Sequence, residues 1–296
     1  MTEGVSKRFI DFDQWSSQDA IAAMYEGQLA ALAAIKPAMS DIANAADNAA
    51  QRLGNDGRLI YVGAGTSGRL AVQDGAELGP TFGWPQDRVV FCIAGGLQAL
   101  TISAEGAEDI SGDGDLQMHA AKVCEKDVVI GVAASGKTPY TLAALQAANT
   151  LGAMTIGIAN NRNTPILAEG DHAILAATGD ELIAGSTRMK AGTAQKAILN
   201  MLSTAIMTRL GRVYNGYMVD MVVSNKKLEG RAVKMICDIA SCSTAASISS
   251  LSQANNNIKT AILIAQGQDA ISAKNIVSKA GGDLRKALDL IKAKSA

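Results

Sequence analysis

Apolar positions along the chain follow two rhythms. Between residues 58 and 176 they gather into short, nearly continuous runs within 59–62, 88–96, 127–136, 153–159 and 172–176. Runs of this length, rich in Val and Ile and bounded by glycine or polar turns, predict buried strands. Helix-length stretches separate them, so the expected fold is α/β, a parallel sheet covered by helices on both faces in three layers. Elsewhere the spacing is helical. A first helix starts at Ser16-Ser17-Gln18-Asp19, carries Ala20, Ile21, Met24, Leu29 and Leu32 at a ragged helical period, and is interrupted near Pro37. Residues 1–14 before it are polar and irregular. Ser40-Asp41 reads as the cap of a second helix ending near Leu53-Gly54, and Asn55-Asp56-Gly57 as a turn. The first strand leads into a helix through about Asp74, then a rigid turn at 78–83. A long helix spans 189–209, and beyond Asn225 the pattern is helical throughout, broken at Gly281-Gly282. This predicts an N-terminal helical segment (1–50), a sheet domain (51–225) and a small C-terminal all-helical domain (226–296).

Composition narrows the function classes. Hydrophobic residues make up 48% and charged residues 19% of the 296, and the formal net charge is −1. That balance suits a sizeable core. It offers neither the basic footprint of a nucleic-acid binder nor a pull toward an anionic membrane. No apolar run reaches the roughly 18 residues that span a bilayer, and residues 1–8 lack the hydrophobic core of a secretory signal. Cys92, Cys124, Cys237 and Cys242 are scattered, with no Cys-x-x-Cys pair. They predict a reduced, cytoplasmic protein without structural zinc, in which Cys92 and Cys124 are buried thiols.

The candidate chemistry lies at strand ends. Gly63-Ala64-Gly65-Thr66-Ser67-Gly68 closes the first strand and opens a helix, so backbone N–H groups converge where an anion is stabilised. The spacing also fits the Gly-x-Gly-x-x-Gly dinucleotide fingerprint. Yet the second strand ends Ile93-Ala94-Gly95-Gly96, with no carboxylate for a ribose, which argues against a nicotinamide cofactor. The stretch from Gly131 to Thr138 formally fits a P-loop. Against that, Gly131 sits inside an apolar strand, Pro139 follows at once, and no apolar strand ends in an Asp for magnesium. A third reading accommodates both loops: Thr66-Ser67-Gly68 and Ser135-Gly136-Lys137-Thr138 cradle one phosphate monoester, with Lys137 adding charge. Plain βα turns are the bland alternative. Two carboxylate clusters, at Asp74–Glu77 and Glu105–Asp109, could divide acid and base roles beside a sugar. His119 and His172 lack clustered partners and read as structural. Ser111-Gly112-Asp113-Gly114-Asp115 hints at calcium, lacks the terminal Glu, and reads as a surface turn.

Six motifs then occur in a familiar order: Gly63-Ala-Gly-Thr-Ser-Gly-Arg69, Pro80-Thr-Phe-Gly83, Glu105-Gly-Ala-Glu-Asp109, Ala134-Ser-Gly-Lys-Thr-Pro139, Gly185-Ser-Thr-Arg-Met-Lys-Ala-Gly-Thr-Ala-Gln-Lys196 and Asn200-Met-Leu-Ser-Thr204. Together they closely resemble the bacterial N-acetylmuramic acid 6-phosphate etherases of the sugar isomerase (SIS) domain superfamily, strongly over about 50–230 and more loosely beyond. The resemblance implies an SIS domain and a carbon–oxygen lyase of cell-wall amino sugar recycling. Such enzymes cleave the D-lactyl ether by elimination and water addition on the ring-opened sugar, without metal or other cofactor. It carries the proton donor onto Glu77 and the second active-site carboxylate onto Glu108. The phosphate falls on Thr66, Ser67, Ser135, Gly136 and Thr138, beside Lys137, with Glu181, Ser186 and Lys190 completing the pocket at the head of the long helix. The implied partner is a small sugar phosphate and the implied assembly a homodimer. Three segments depart from the family pattern. Glu3 is followed by Gly4-Val5-Ser6-Lys7-Arg8 rather than x-Arg-Asn-Pro, and Ala76-Glu77-Leu78-Gly79-Pro80 replaces Ser-Glu-Cys-Pro-Pro. Lys137 stands where Arg is common, which loses bidentate geometry. A non-catalytic sugar-phosphate regulator and an aldose–ketose isomerase remain as rival readings.

Overall fold

The computed structural model describes residues 2–295. Helices Ser17–Ala33 (α1) and Met39–Leu53 (α2) precede an alternating region: Leu59–Gly63 (β1), Gly65–Phe82 (α3), Val89–Ile93 (β2), Ser111–Ala120 (α4), Val128–Ala133 (β3), Pro139–Thr150 (α5), Met154–Ala159 (β4), Pro165–Glu169 (α6), His172–Leu175 (β5) and Lys190–Arg209 (α7). Five helices follow: Lys226–Ala240 (α8), Thr244–Gln253 (α9), Ile258–Ala265 (α10), Ala270–Lys279 (α11) and Leu284–Ser295 (α12). The strands form one sheet in the order β2-β1-β3-β4-β5, every pair parallel. The three central strands are buried along their length, which is why they read as unbroken apolar runs; edge strand β2 is half-exposed over its first three residues.

The two-residue period of β1 sends its side chains to opposite layers. Ile60 and Val62 join Val129, Met118 of α4, and Tyr140 and Leu145 of α5 in one buried cluster. On the other face, Tyr61 donates its hydroxyl to the Asp74 carboxylate of α3 at 2.8 Å. Asn200 and Ser203 of α7 donate to the same carboxylate at 2.6 and 3.0 Å. Burial pushes the Asp74 carboxyl above its usual range against the pull of these three bonds. Asn200 and Ser203, two residues of the last sequence motif, thus fasten α7 to α3.

The chain divides into two compact units, Met1–Gly75 with Asp87–Ala205, and Ala76–Gln86 with Ile206–Ala296. The second unit packs α8 to α12 around Met235, Ile236, Ile258, Ile262 and Leu284. Asn225, Ser243, Asn257 and Asp269 cap four of its helices by accepting hydrogen bonds from first-turn N–H groups. The stretch 76–86 joins this unit through Arg212. That guanidinium donates to the carbonyls of Phe82 (2.8 Å) and Gly83 (3.0 Å) and lies 5.0 Å from the Trp84 ring centroid.

Several local expectations are corrected. Helix α3 runs past Asp74 to Phe82, so the segment read as a rigid turn is its last turn and a half, with Pro80 inside. Gly79, which precedes the proline, has no Cβ to clash with the ring and stays helical. Ser40 does not cap α2: a 3₁₀ turn at Lys36–Ala38 runs straight into the helix, whose cap position Ala38 makes no side-chain bond. Residues 1–14 are not wholly irregular; they form 3₁₀ turns at Lys7–Phe9 and Phe12–Gln14, with Phe9, Phe12 and Trp15 in mutual ring contact. In α1 the buried stripe is Ala23, Gly27 and Ala31, whereas Ile21, Leu29 and Leu32 are exposed. A Cβ on Gly27 would lie 2.8 Å from Leu182 Cδ1, so only small residues fit the inner face. The calcium-like stretch is the first turn of α4, and its Gly114 serves packing: an added Cβ would meet the Tyr140 carbonyl oxygen at 2.2 Å. Cys92 is buried, but Cys124 is exposed in the turn before β3, where its N–H donates to Asp127 at 3.0 Å.

Candidate active site

In a parallel sheet the ligand crevice lies beyond the carboxyl ends of the strands where their order reverses. Here the chain leaves β1 outward to β2, then crosses back to β3 on the other side, so the crevice falls between the β1 and β3 ends. Two helices begin there. α3 opens at Gly65 directly after β1, and α5 opens at Pro139 with Thr138 in the cap position. The unbonded N–H groups and positive dipole ends of both first turns favour an anion at this point.

A cavity of about 460 Å³ occupies the crevice, lined by Thr66, Ser67, Ser135, Lys137, Thr138 and Glu108 among others. These six candidates, drawn from three separated loops, meet in one place. Ser135 accepts a hydrogen bond from the Lys137 N–H at 3.2 Å, which leaves its hydroxyl proton free to donate into the cavity. Gly136 shapes the turn between them. Its φ of 67° is left-handed, and a Cβ would fall 2.2 Å from Thr164 Oγ1. The paired glycines of the first loop work by proximity: a Cβ on Gly68 would meet the Gly63 oxygen at 2.9 Å, so helix and strand approach as no larger residue permits.

The remaining candidates lie elsewhere. Glu181 is fully buried and turned into its own chain: its two oxygens accept the N–H groups of Lys190 (3.0 Å) and Ala191 (2.9 Å) at the start of α7. Lys190 Nζ donates to the Asp180 carbonyl at 2.7 Å. Glu181, Ser186 and Lys190 are not lining residues of the cavity, whereas their neighbours Gly185 and Thr187 are. Glu77 stands exposed further along α3, in the second unit.

Asp109 of the second carboxylate cluster also lines the cavity, and so does Glu3, which carries no site role in the sequence reading. For Glu3 the available signal was Thr2-Glu3, the part of the family's opening that this chain keeps. The structure shows how that segment is held. Thr2 is buried, its N–H donates to Asn161 Oδ1 (3.1 Å), Asn161 Nδ2 donates to its hydroxyl (2.9 Å), and its carbonyl accepts the Gly185 N–H (3.1 Å). A larger hollow of about 680 Å³ lies at the amino ends of β3 to β5. Several of its polar groups are engaged within the protein: Asp171 accepts the Thr155 N–H at 2.8 Å, His172 bonds Asn48 at 3.1 Å, and Arg52 donates to the Glu125 carbonyl at 2.6 Å. Among the described residues, no group of three or more His, Cys, Asp or Glu is gathered to hold a metal ion, and no helix is long and apolar enough to cross a membrane.

This sheet order, with two hydroxyl-rich, helix-opening loops at its switch point, defines a doubly wound α/β protein. The SIS domain family model matches residues 102–205, and that of the glucokinase regulatory protein N-terminal SIS domain matches 41–149. A solved Bacteroides fragilis structure, described as a candidate phosphosugar isomerase involved in capsule formation, shares the fold at a TM-score of 0.54. It is 20% identical and covers 70% of this chain and 98% of its own. Much nearer in sequence is the N-acetylmuramic acid 6-phosphate etherase of Deinococcus radiodurans, 43% identical over 97% of this chain and 94% of its own. The enzyme of that name from Symbiobacterium thermophilum is 46% identical over 89% and 87%. The chain belongs to the N-acetylmuramic acid 6-phosphate etherase family.

Proposed function

We infer that this protein is a carbon–oxygen lyase that cleaves the D-lactyl ether of N-acetylmuramic acid 6-phosphate, giving N-acetylglucosamine 6-phosphate and D-lactate in the recycling of cell-wall amino sugars. Family membership supports the reaction. The observation that carries the site is the convergence of two helix N-termini, the hydroxyls of Thr66, Ser67, Ser135 and Thr138, and Lys137 on one cavity that Glu108 also lines. In this reading Thr66, Ser67, Ser135, Thr138 and the Gly136 turn hold the phosphate. Glu108 takes the C2 proton of the ring-opened aldehyde, whose carbanion is stabilised as an enolate. The enolate expels the C3 oxygen of lactate as Glu77 protonates it. Water then adds at C3 of the unsaturated aldehyde and a proton returns to C2.

Residues 51–225 act as the catalytic body in this proposal, with 1–50 its helical lead-in and 226–296 an appended helical domain. The protein works in the cytoplasm, as its four free cysteines support, and as a homodimer. The dimer is supported by α1, where Ile21, Tyr25, Leu29 and Leu32 form an exposed apolar face opposite the buried one.

The test is lactate release from N-acetylmuramic acid 6-phosphate in ²H₂O or H₂¹⁸O, followed by NMR and mass spectrometry. Solvent deuterium at C2 and ¹⁸O at C3 are expected. Glu77→Gln should lower release about 10²- to 10⁴-fold, the usual worth of a general acid, with sugar-phosphate binding retained. Binding without lactate release by the wild type would favour the regulator or isomerase reading.

A further inference from the structure

Beside the phosphate cavity lies a second of about 250 Å³, whose wall includes Arg69, Ser103, Glu105 and Glu108. The two share Ala64, Gly65 and Glu108. The substrate proposed above carries two anions, the C6 phosphate and the carboxylate of the lactyl ether on C3, and the cradle accounts for only the first. Arg69 is the one cationic side chain among the residues lining the second cavity. Its guanidinium is held in a fixed plane: Nε donates to the carbonyls of Ala99 and Leu100, both at 3.1 Å, and Nη2 to Ala99 at 2.9 Å. Those bonds occupy one edge of the guanidinium and, among the described residues, leave Nη1 without a protein acceptor. Among the described residues neither Glu105 nor Glu108 forms an ion pair with it. A guanidinium braced by carbonyls, with one nitrogen unspent, is suited to an incoming carboxylate.

We propose that this second cavity is the lactyl subsite, in which Arg69 and Ser103 receive the α-alkoxy carboxylate of the ether while the cradle holds the phosphate. The proposal rests on the etherase reading. It explains why Glu108 stands on the wall common to both cavities: the C2–C3 bond, where the sugar meets the leaving group, would lie at that junction. The lactyl carboxylate itself is chemically unchanged by the reaction. Arg69 orients the leaving group and makes no contact with the sugar product once lactate has gone.

The test compares affinities for N-acetylmuramic acid 6-phosphate and N-acetylglucosamine 6-phosphate, which lacks the lactyl group. Calorimetry on the Glu77→Gln background keeps the measurement independent of turnover. Adding Arg69→Met should weaken binding of the first about ten- to hundredfold, the range for a hydrogen bond between charged groups, and leave the second within about twofold. The lactamide analogue of the substrate should bind the Arg69-intact protein with the same loss, and Arg69→Met should not distinguish it from the acid. Equal losses for both sugar phosphates would mean that Arg69 only braces the Ala99 and Leu100 carbonyls, and would overturn the proposal. Undiminished binding of the lactamide to the Arg69-intact protein would overturn it without relying on the variant's folding. Failure of the wild type to release lactate would strike the etherase reading instead.

Discussion

Replacing Glu181 separates two roles for one carboxylate: a ligand for sugar, as the family resemblance implies, or a cap for α7, as its hydrogen bonds show. The side chain is 0% exposed, and both oxygens are engaged by the Lys190 and Ala191 N–H groups at 3.0 and 2.9 Å. Glu181→Ala strips both acceptors. Each buried N–H left without a partner costs about 1–3 kcal/mol, and losing an anion at a helix N-terminus adds up to about 2 kcal/mol. Because these contributions overlap, we expect a loss of about 3–5 kcal/mol, a large share of the roughly 5–15 kcal/mol typical of a native protein. Glu181→Gln keeps one acceptor oxygen but turns an NH₂ toward the other N–H, for a loss of about 2–3 kcal/mol. Urea unfolding of both variants, with sugar-phosphate affinity measured in parallel, decides the matter. A Gln variant within about 0.5 kcal/mol of wild type that loses sugar-phosphate affinity tenfold would refute the capping argument.

Three further outcomes are expected. Gly114→Ala forces a methyl against the Tyr140 carbonyl oxygen at 2.2 Å and should destabilise by about 1–3 kcal/mol or more, since backbone must move. Gly112→Ala, two residues away in the same helix with nothing within 4 Å of its added Cβ, should stabilise by about 0.5–1 kcal/mol; thermal unfolding of the pair checks both. Burial raises the Asp127 carboxyl, but hydrogen bonds from the Arg58 guanidinium, including one from Nη2 at 2.6 Å, and from the Cys124 and Arg58 N–H groups together outweigh it and hold the group below its usual range. Because its folded value is the lower one, the stability it contributes is complete above the ordinary Asp value of about 4 and is lost as pH falls through the folded value. Arg58→Met should therefore flatten the acid limb of a stability–pH curve and leave its neutral-to-alkaline shape unchanged.

Strand positions were legible because the information is local. A strand covered on both faces must be apolar at consecutive positions, so 59–62, 127–136 and 153–159 announced themselves without knowledge of their neighbours. The two glycine- and hydroxyl-rich loops were legible for a similar reason: their composition marks a strand-to-helix junction, where a helix N-terminus opens. What packs against an element is not local, and there the readings diverged. The large apolar residues of α1 predicted its inner face, yet Leu182 lies so close to Gly27 that only Ala and Gly fit inside, and Ile21, Leu29 and Leu32 point outward. Pro80 predicted a helix end, whereas the glycine before it let α3 continue.

The sequence by itself thus determined the class of fold, the strand ends that carry the loops, and, through ordered motifs, the family. Tertiary structure decided which of the named side chains share a cavity. Thr66, Ser67, Glu108, Ser135, Lys137 and Thr138 come together because β1 lies between β2 and β3 in the sheet, so the loops that follow all three strands meet, an adjacency that no local pattern encodes. It also turned Glu181 inward to α7 and, by tying Thr2 to Asn161, brought the adjacent Glu3 to the cavity. The physical reason is the same throughout. Hydrophobic periodicity reports how much of each element is buried, whereas a hydrogen-bonded or ligand-facing side chain depends on a partner distant in sequence and fixed only by the order of the strands.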